Sequence, residues 1–135
     1  MSDSNNSARL SETFDSSQST LFKQRNPLDK RVKWAEQALE QYPHKYPLII
    51  ERAADQSKII ELTNPKFLMP KVFKVSEVQT IIRKKLQLTR EQNIFLLANG
   101  KHIMKQDQTL MQVYDRHRDD DGFLYIQYAL EQTMG

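Results

Sequence analysis

Apolar residues after Leu21 first recur at helical spacing. Val32, Ala35, Leu39 and Tyr42 define one face of a helix from Pro27 to about Tyr42. Trp34 and Ala38, four positions apart, are neighbours on an adjacent face. Pro43 and Pro47 then oppose further helix. "YPLIIERA" reads as a strand with both faces partly covered. "KIIELTNPKFLMP" is a second extended stretch, bent at Asn64-Pro65. "SEVQTIIRKKLQL" returns to the helical period, with Val78, Ile81, Ile82 and Leu86 as the buried stripe. Ser76 and Gln79 are spaced as a capping box, and Arg83-Lys84-Lys85 suit the negative end of the helix dipole.

Two short strands flank Asn99-Gly100 in "NIFLLANGKHIM", a hairpin signal. "TLMQVYDRH" predicts a short helix capped by Thr109, and "DDDGFLYIQYAL" a turn entering a last strand. There Leu124, Ile126 and Tyr128 alternate with Phe123, Tyr125 and Gln127. The order predicts an α+β roll, a sheet wrapped over one long helix. The N-terminal helix must pack as well. The second face of the sheet, carrying Phe123 and Tyr125, is the apolar surface available to it.

At 135 residues the chain has length for one domain with a modest core. Residues 1–20 hold seven serines and few bulky apolar groups, so they are expected to be disordered, with order starting near "LFKQR". The chain has no Cys, which removes disulfides, thiolate metal sites and a thioester on this chain, and suits a reducing, cytosolic setting. No apolar run approaches the ~20 residues of a membrane helix, and the N-terminus lacks the pattern of a secretory signal. The net charge of +3 divides into −2 on residues 1–20 and +5 on the rest. The basic residues lack interleaved aromatics, so no nucleic-acid partner is expected. Lys23, Arg25, Lys30, Arg31 and Lys33 predict a basic N-terminal surface. His44, His102 and His117 show no metal-ligand spacing, and "DRHRDDDG" reads as a solvated turn. With no phosphate loop or nucleophile grouping, neither an enzyme nor a cofactor is expected.

"LFKQR", "YPLIIERA", "PKFLMP", "IIRKKLQL", "FLLANG", "DDDGFLYIQYA" and the terminal glycine together resemble the autophagy ubiquitin-like modifiers. That is the family of microtubule-associated protein light chain 3 and the GABA-receptor-associated protein; the likeness leans to the light chain 3 branch. It implies a ubiquitin-like β-grasp roll, with residues 21–44 as an added two-helix extension and 45–135 as the ubiquitin-like domain. It implies conjugation of Gly135 to phosphatidylethanolamine by activating and conjugating enzymes, and processing and deconjugation by a cysteine protease. The expected location is cytoplasmic when free and on autophagosome and related vesicle membranes when lipidated, with microtubules as a further partner. Cargo receptors bearing aromatic-x-x-aliphatic motifs are the implied ligands. By resemblance their aromatic anchor meets Trp34, Ala38, Pro47, Ile49, Lys66, Leu68 and Phe123, and their aliphatic anchor Phe67, Met69, Pro70, Val78, Ile81, Ile82 and Lys85. For Ile49, Ile82 and Phe123 an ordinary core place is the stronger expectation; Lys66, Phe67 and Met69 are the stronger surface expectations.

The implied chemistry suits these residue types. A carboxylate needs activation and then a thiol, which the enzymes must supply. Glycine places no Cβ beside the reacting carbonyl, and residues 132–135 reach roughly 13–14 Å when extended. "KFLMP" suits an edge strand closed by Pro70, open to an added peptide strand. Departures from the family pattern are Met134 where an aromatic is usual, Trp34 and Ala38 for an acidic and a larger aliphatic residue, Asn64-Pro65 for a basic stretch, and Lys71. Two other readings stand beside this one. One is a ubiquitin-like adaptor for motif peptides or microtubules that is never conjugated, which Met134 favours. The other is a basic nucleic-acid-binding domain, marked by steeply salt-sensitive binding.

Overall fold

The computed structural model describes residues 21–54, 56 and 58–131; the Ser-rich segment 1–20, expected to be disordered, and residues 132–135, with the expected conjugation residue Gly135, lie outside the described residues. The elements are α1 (Phe22–Arg25), α2 (Leu28–Gln41), β1 (Lys45–Arg52), β2 (Lys66–Pro70), α3 (Val75–Leu86), β3 (Ile94–Ala98), β4 (His102–Ile103), α4 (Leu110–His117) and β5 (Leu124–Leu130). The sheet order is β2-β1-β5-β3-β4, with β1 and β5 parallel at its centre and the other pairs antiparallel. This is the expected α+β roll with two N-terminal helices.

Local chemistry explains the boundaries. Pro27 precedes α2, where a missing N–H costs nothing. The helix stops at Tyr42, whose N–H reaches the Ala38 carbonyl just before Pro43. At α3 the structure corrects the expected cap. Lys74 is the N-cap residue, and Glu77 Oε1 accepts its N–H at 2.8 Å. Gln79 instead donates to the Ile94 carbonyl and accepts from Gln106, tying α3 to its surroundings. Thr109 does cap α4: its hydroxyl accepts from Gln112 N–H, and the Gln112 side chain returns the bond to Thr109 N–H. Asn99 and Gly100, at φ 56° and 70°, form the left-handed pair that a tight hairpin needs.

The alternation in β5 separates two cores. Leu124, Ile126 and Tyr128 join Leu48, Ile50, Leu96 and the Val75, Val78, Ile82 and Leu86 stripe of α3. Tyr46 stacks on Tyr114 of α4 at 3.9 Å, closing that layer. On the opposite face Phe123 and Tyr125 join Ile49, Phe22 and Ala35, with Trp34 packed against them. The N-terminal helices therefore cover the second face, as expected. The predicted face of α2 needs amendment: Tyr42 is exposed, and Arg31 is buried instead. Of the second extended stretch only residues 66–70 become a strand.

Candidate peptide-binding site

β2 is the edge strand, paired to β1 alone through Tyr46↔Met69 and Leu48↔Phe67. Its side chains alternate about the sheet, Phe67 and Met69 toward the α3 core and Lys66 and Leu68 away from it. The strand leaves an Asx turn, in which Asn64 Oδ1 accepts the Lys66 N–H at 3.0 Å.

Between α2 and β2 lies a cavity of about 310 Å³. Trp34, Ala38, Pro47, Lys66, Leu68 and Phe123 line it, six of the seven residues expected around the aromatic anchor; Gln37, Gln41, Tyr42 and Phe67 complete it. The seventh, Ile49, is wholly buried in the second core. Trp34 is held from below by the Phe22 ring at 5.9 Å, and Lys66 Nζ sits 4.3 Å from the indole centroid. A cation over an indole face gains about 0.5–2 kcal/mol. That contact therefore places a positive charge at the rim of an apolar pocket.

The second expected group is divided. Phe67 and Lys85 line a larger cavity of about 740 Å³ beside the C-terminal end of α3, with Leu62, Leu68, Lys66 and Lys84 among its walls. Lys85 Nζ lies 6.0 Å from the Phe67 centroid. Met69, Pro70, Val78, Ile81 and Ile82 do not line it. Met69, Val78 and Ile82 are core residues, Ile81 packs partly against that core, and Pro70 is half-buried at the end of β2. Met69, expected at the surface, is 3% exposed.

α2 is tied to the turn before β5 by a group that sequence reasoning placed in solvent. Asp121 is 2% exposed. Its Oδ2 accepts from Arg31 Nη1 at 2.7 Å and from the Tyr125 hydroxyl at 2.6 Å, and its Oδ1 accepts the Phe123 N–H at 2.8 Å. Burial, then the bond to Asp121, pushes the Tyr125 hydroxyl well up. Burial opposes the Arg31 cation, but Tyr125 and Asp121 outweigh it and raise its value. Arg31 thus leaves the expected basic surface. Lys23 leaves it in part, bonded at 2.5 Å to Asp119. Burial works against the Asp119 carboxylate, yet Lys23 and the Asp121 N–H hold it below the usual range. Nearby Glu51 accepts the Phe22 N–H at 2.6 Å, pinning the start of α1, and burial raises its carboxyl. The one sequence signal for the Asp121 hub was its place before Gly122-Phe123, suited to an Asx turn.

Among the described residues no group of three or more His, Cys, Asp or Glu is placed to hold a metal ion, and no helix is long and apolar enough to cross a membrane. His102 and His117 stack at 4.6 Å, and burial followed by the His102 and Arg116 charges lowers His117.

Residues 30–135 match the family model "Autophagy protein Atg8 ubiquitin like". The chain is 35% identical to Protein lgg-2 of Caenorhabditis elegans over 114 residues, 84% of this chain and 88% of that protein. It is 31% identical to microtubule-associated protein 1 light chain 3 gamma of Homo sapiens over 114 residues, 84% of this chain and 78% of that protein. Its structure is similar to the crystal structure of Trypanosoma brucei ATG8, with a TM-score of 0.79 and 29% identity, covering 87% of this chain and 100% of that one.

Proposed function

The chain belongs to the Atg8 family of ubiquitin-like autophagy proteins, and we propose from that premise that it is a lipid-conjugated modifier recruiting motif peptides to autophagosome membranes. Gly135 is its conjugation residue and the chain is the group transferred, not a catalyst. Activating and conjugating enzymes supply the thiols that a chain without Cys lacks. A cysteine protease processes and deconjugates it. Phosphatidylethanolamine brings two acyl chains, which anchor stably where one is marginal. The chain is cytoplasmic when free and vesicle-bound when lipidated, residues 21–44 serving as an extension on the ubiquitin-like domain 45–135.

The observation that carries the peptide half is the edge strand β2 lying directly beside the Trp34–Phe123 cavity. A peptide strand added to β2 delivers alternate side chains to its two sides. Trp34, Pro47, Leu68 and Phe123 receive the aromatic anchor. Phe67 and the stem of Lys85 receive the aliphatic one, over the underlying core residues Met69, Val78 and Ile82. Each buried anchor contributes roughly 1.5–3 kcal/mol before ordering costs, which favours affinities near micromolar.

Reconstitution tests both halves. The full chain, the cognate enzymes, ATP and phosphatidylethanolamine liposomes should yield a lipid-sized mass gain on the C-terminal peptide, absent when Gly135 is deleted. If enzymes proven on another modifier leave this chain unchanged, conjugation is refuted and the unconjugated adaptor remains. Separately, Leu68→Asp should weaken an aromatic-x-x-aliphatic peptide about tenfold or more. Equal affinity would remove β2 as the docking edge.

A further inference from the structure

The described chain begins beside the aromatic groove. Leu21 precedes Phe22, whose ring supports Trp34. A cavity of about 340 Å³ lined by Phe22, Arg25, Asn26, Trp34, Pro65 and Lys66 shares its Trp34–Lys66 wall with the groove. Among the described residues no acidic one lines either cavity, while Arg25 and Lys66 do. The preceding residues carry the complementary features. Residues 1–20 sum to −2, their one aromatic is Phe14, and Glu12 and Asp15 flank it in "SETFDSS". The seven Cα–Cα steps from Phe14 to Leu21 span up to roughly 23 Å, which is ample for an aromatic pocket touching Phe22.

We propose that this chain carries its own competitor: residues 9–20 return to the groove, Phe14 enters beside Trp34, and Glu12 and Asp15 face Arg25 and Lys66. The proposal rests on the reading of the groove as a site for aromatic anchors and adds an occupant within the same chain. A short linker holds its ligand at an effective concentration of about millimolar. A single anchor with two screened charge contacts binds at about that strength. The segment therefore attenuates external peptides without abolishing their binding. Any modification that adds charge to the neighbouring serines retunes that competition.

Trp34 is the only tryptophan, so its emission reports on the groove directly. The experiment uses the full chain, its Phe14→Ala variant and a Glu12→Gln/Asp15→Asn double variant, with a synthetic Phe-x-x-Leu peptide free of tryptophan as probe. Phe14→Ala should shift the Trp34 emission and tighten peptide binding about twofold, since an effective concentration near the segment's own dissociation constant fills the groove about half the time. The double variant should show a smaller gain that vanishes in high salt. Unchanged emission and unchanged affinity in Phe14→Ala overturn the proposal while leaving the motif-peptide reading standing. A shift in emission with no peptide binding to either chain supports the segment and refutes that reading. A shift that depends on protein concentration means a second copy supplies the segment, which overturns the in-chain form.

Discussion

At the scale of single residues, Asp121 ties more groups together than any side chain in the candidate groove. It is a carboxylate removed from water whose oxygens face a guanidinium, a hydroxyl and a backbone N–H. Truncating one partner of such a pair leaves the other charge buried alone, at a cost of about 3–5 kcal/mol. Asp121→Ala should therefore destabilise the fold by about that much in urea unfolding, while Asp120→Ala, at an exposed neighbour, stays within about 0.5 kcal/mol. Similar midpoints for the two variants would mean that Asp121 is solvated after all. Three consecutive aspartates in sequence look alike. Beyond the Asx-turn position of Asp121, their tertiary partners distinguish them, Arg31 ninety residues away for Asp121 and Lys23 for Asp119. For the same reason periodicity identified Ala35 as buried but not Arg31, one turn earlier on the same face.

Among the elements, boundaries set by proline, by Asn99-Gly100 and by Thr109 were legible because each acts within four residues of itself. The start of α3 was not. Ser76 and Gln79 have the right spacing, yet the N-cap lies two residues earlier, at Lys74, and Glu77 takes the capping role. Helix registers this close compete on fractions of a kcal/mol, and packing of Val75 into the core decides between them. Glu77→Ala should cost about 0.5–2 kcal/mol of stability, and Ser76→Ala less than about 0.5 kcal/mol. Thermal unfolding of the two variants would return the box to Ser76 if the order were reversed. The groove was legible in much the same proportion. Alternation in "KFLMP" assigns Lys66 and Leu68 to one side. It says nothing of how deeply Met69, Val78 and Ile82 are buried, which depends on how α3 packs against the sheet.

For the molecule as a whole, the question is whether residues 21–44 form a separable extension or one cooperative body with the sheet. Two cores argue for separation, since the N-terminal helices contact mainly the second face. The linkages across that face argue for unity. Phe22, 3% exposed, packs edge-on to Phe123 at 5.5 Å, Ala35 lies against the β5 turn, and the Arg31–Asp121 pair spans α2 and that turn. Gly122 has φ +99°, and a Cβ there would come within 2.9 Å of the Ala35 Cβ, so helix and turn are fitted to each other. Release of α2 would separate Asp121 from Arg31 and expose the second core, and these two losses together oppose the chain entropy that the extension gains. Unity should prevail. Trp34 emission reports the extension and far-UV circular dichroism reports the whole fold, and their unfolding midpoints in urea should coincide. Phe22→Ala should move both midpoints together, by about 3–5 kcal/mol, and weaken an aromatic-x-x-aliphatic peptide by loosening the floor beneath Trp34. An earlier Trp34 transition, widened by Phe22→Ala while circular dichroism holds, would show that the extension opens independently and that the groove opens with it.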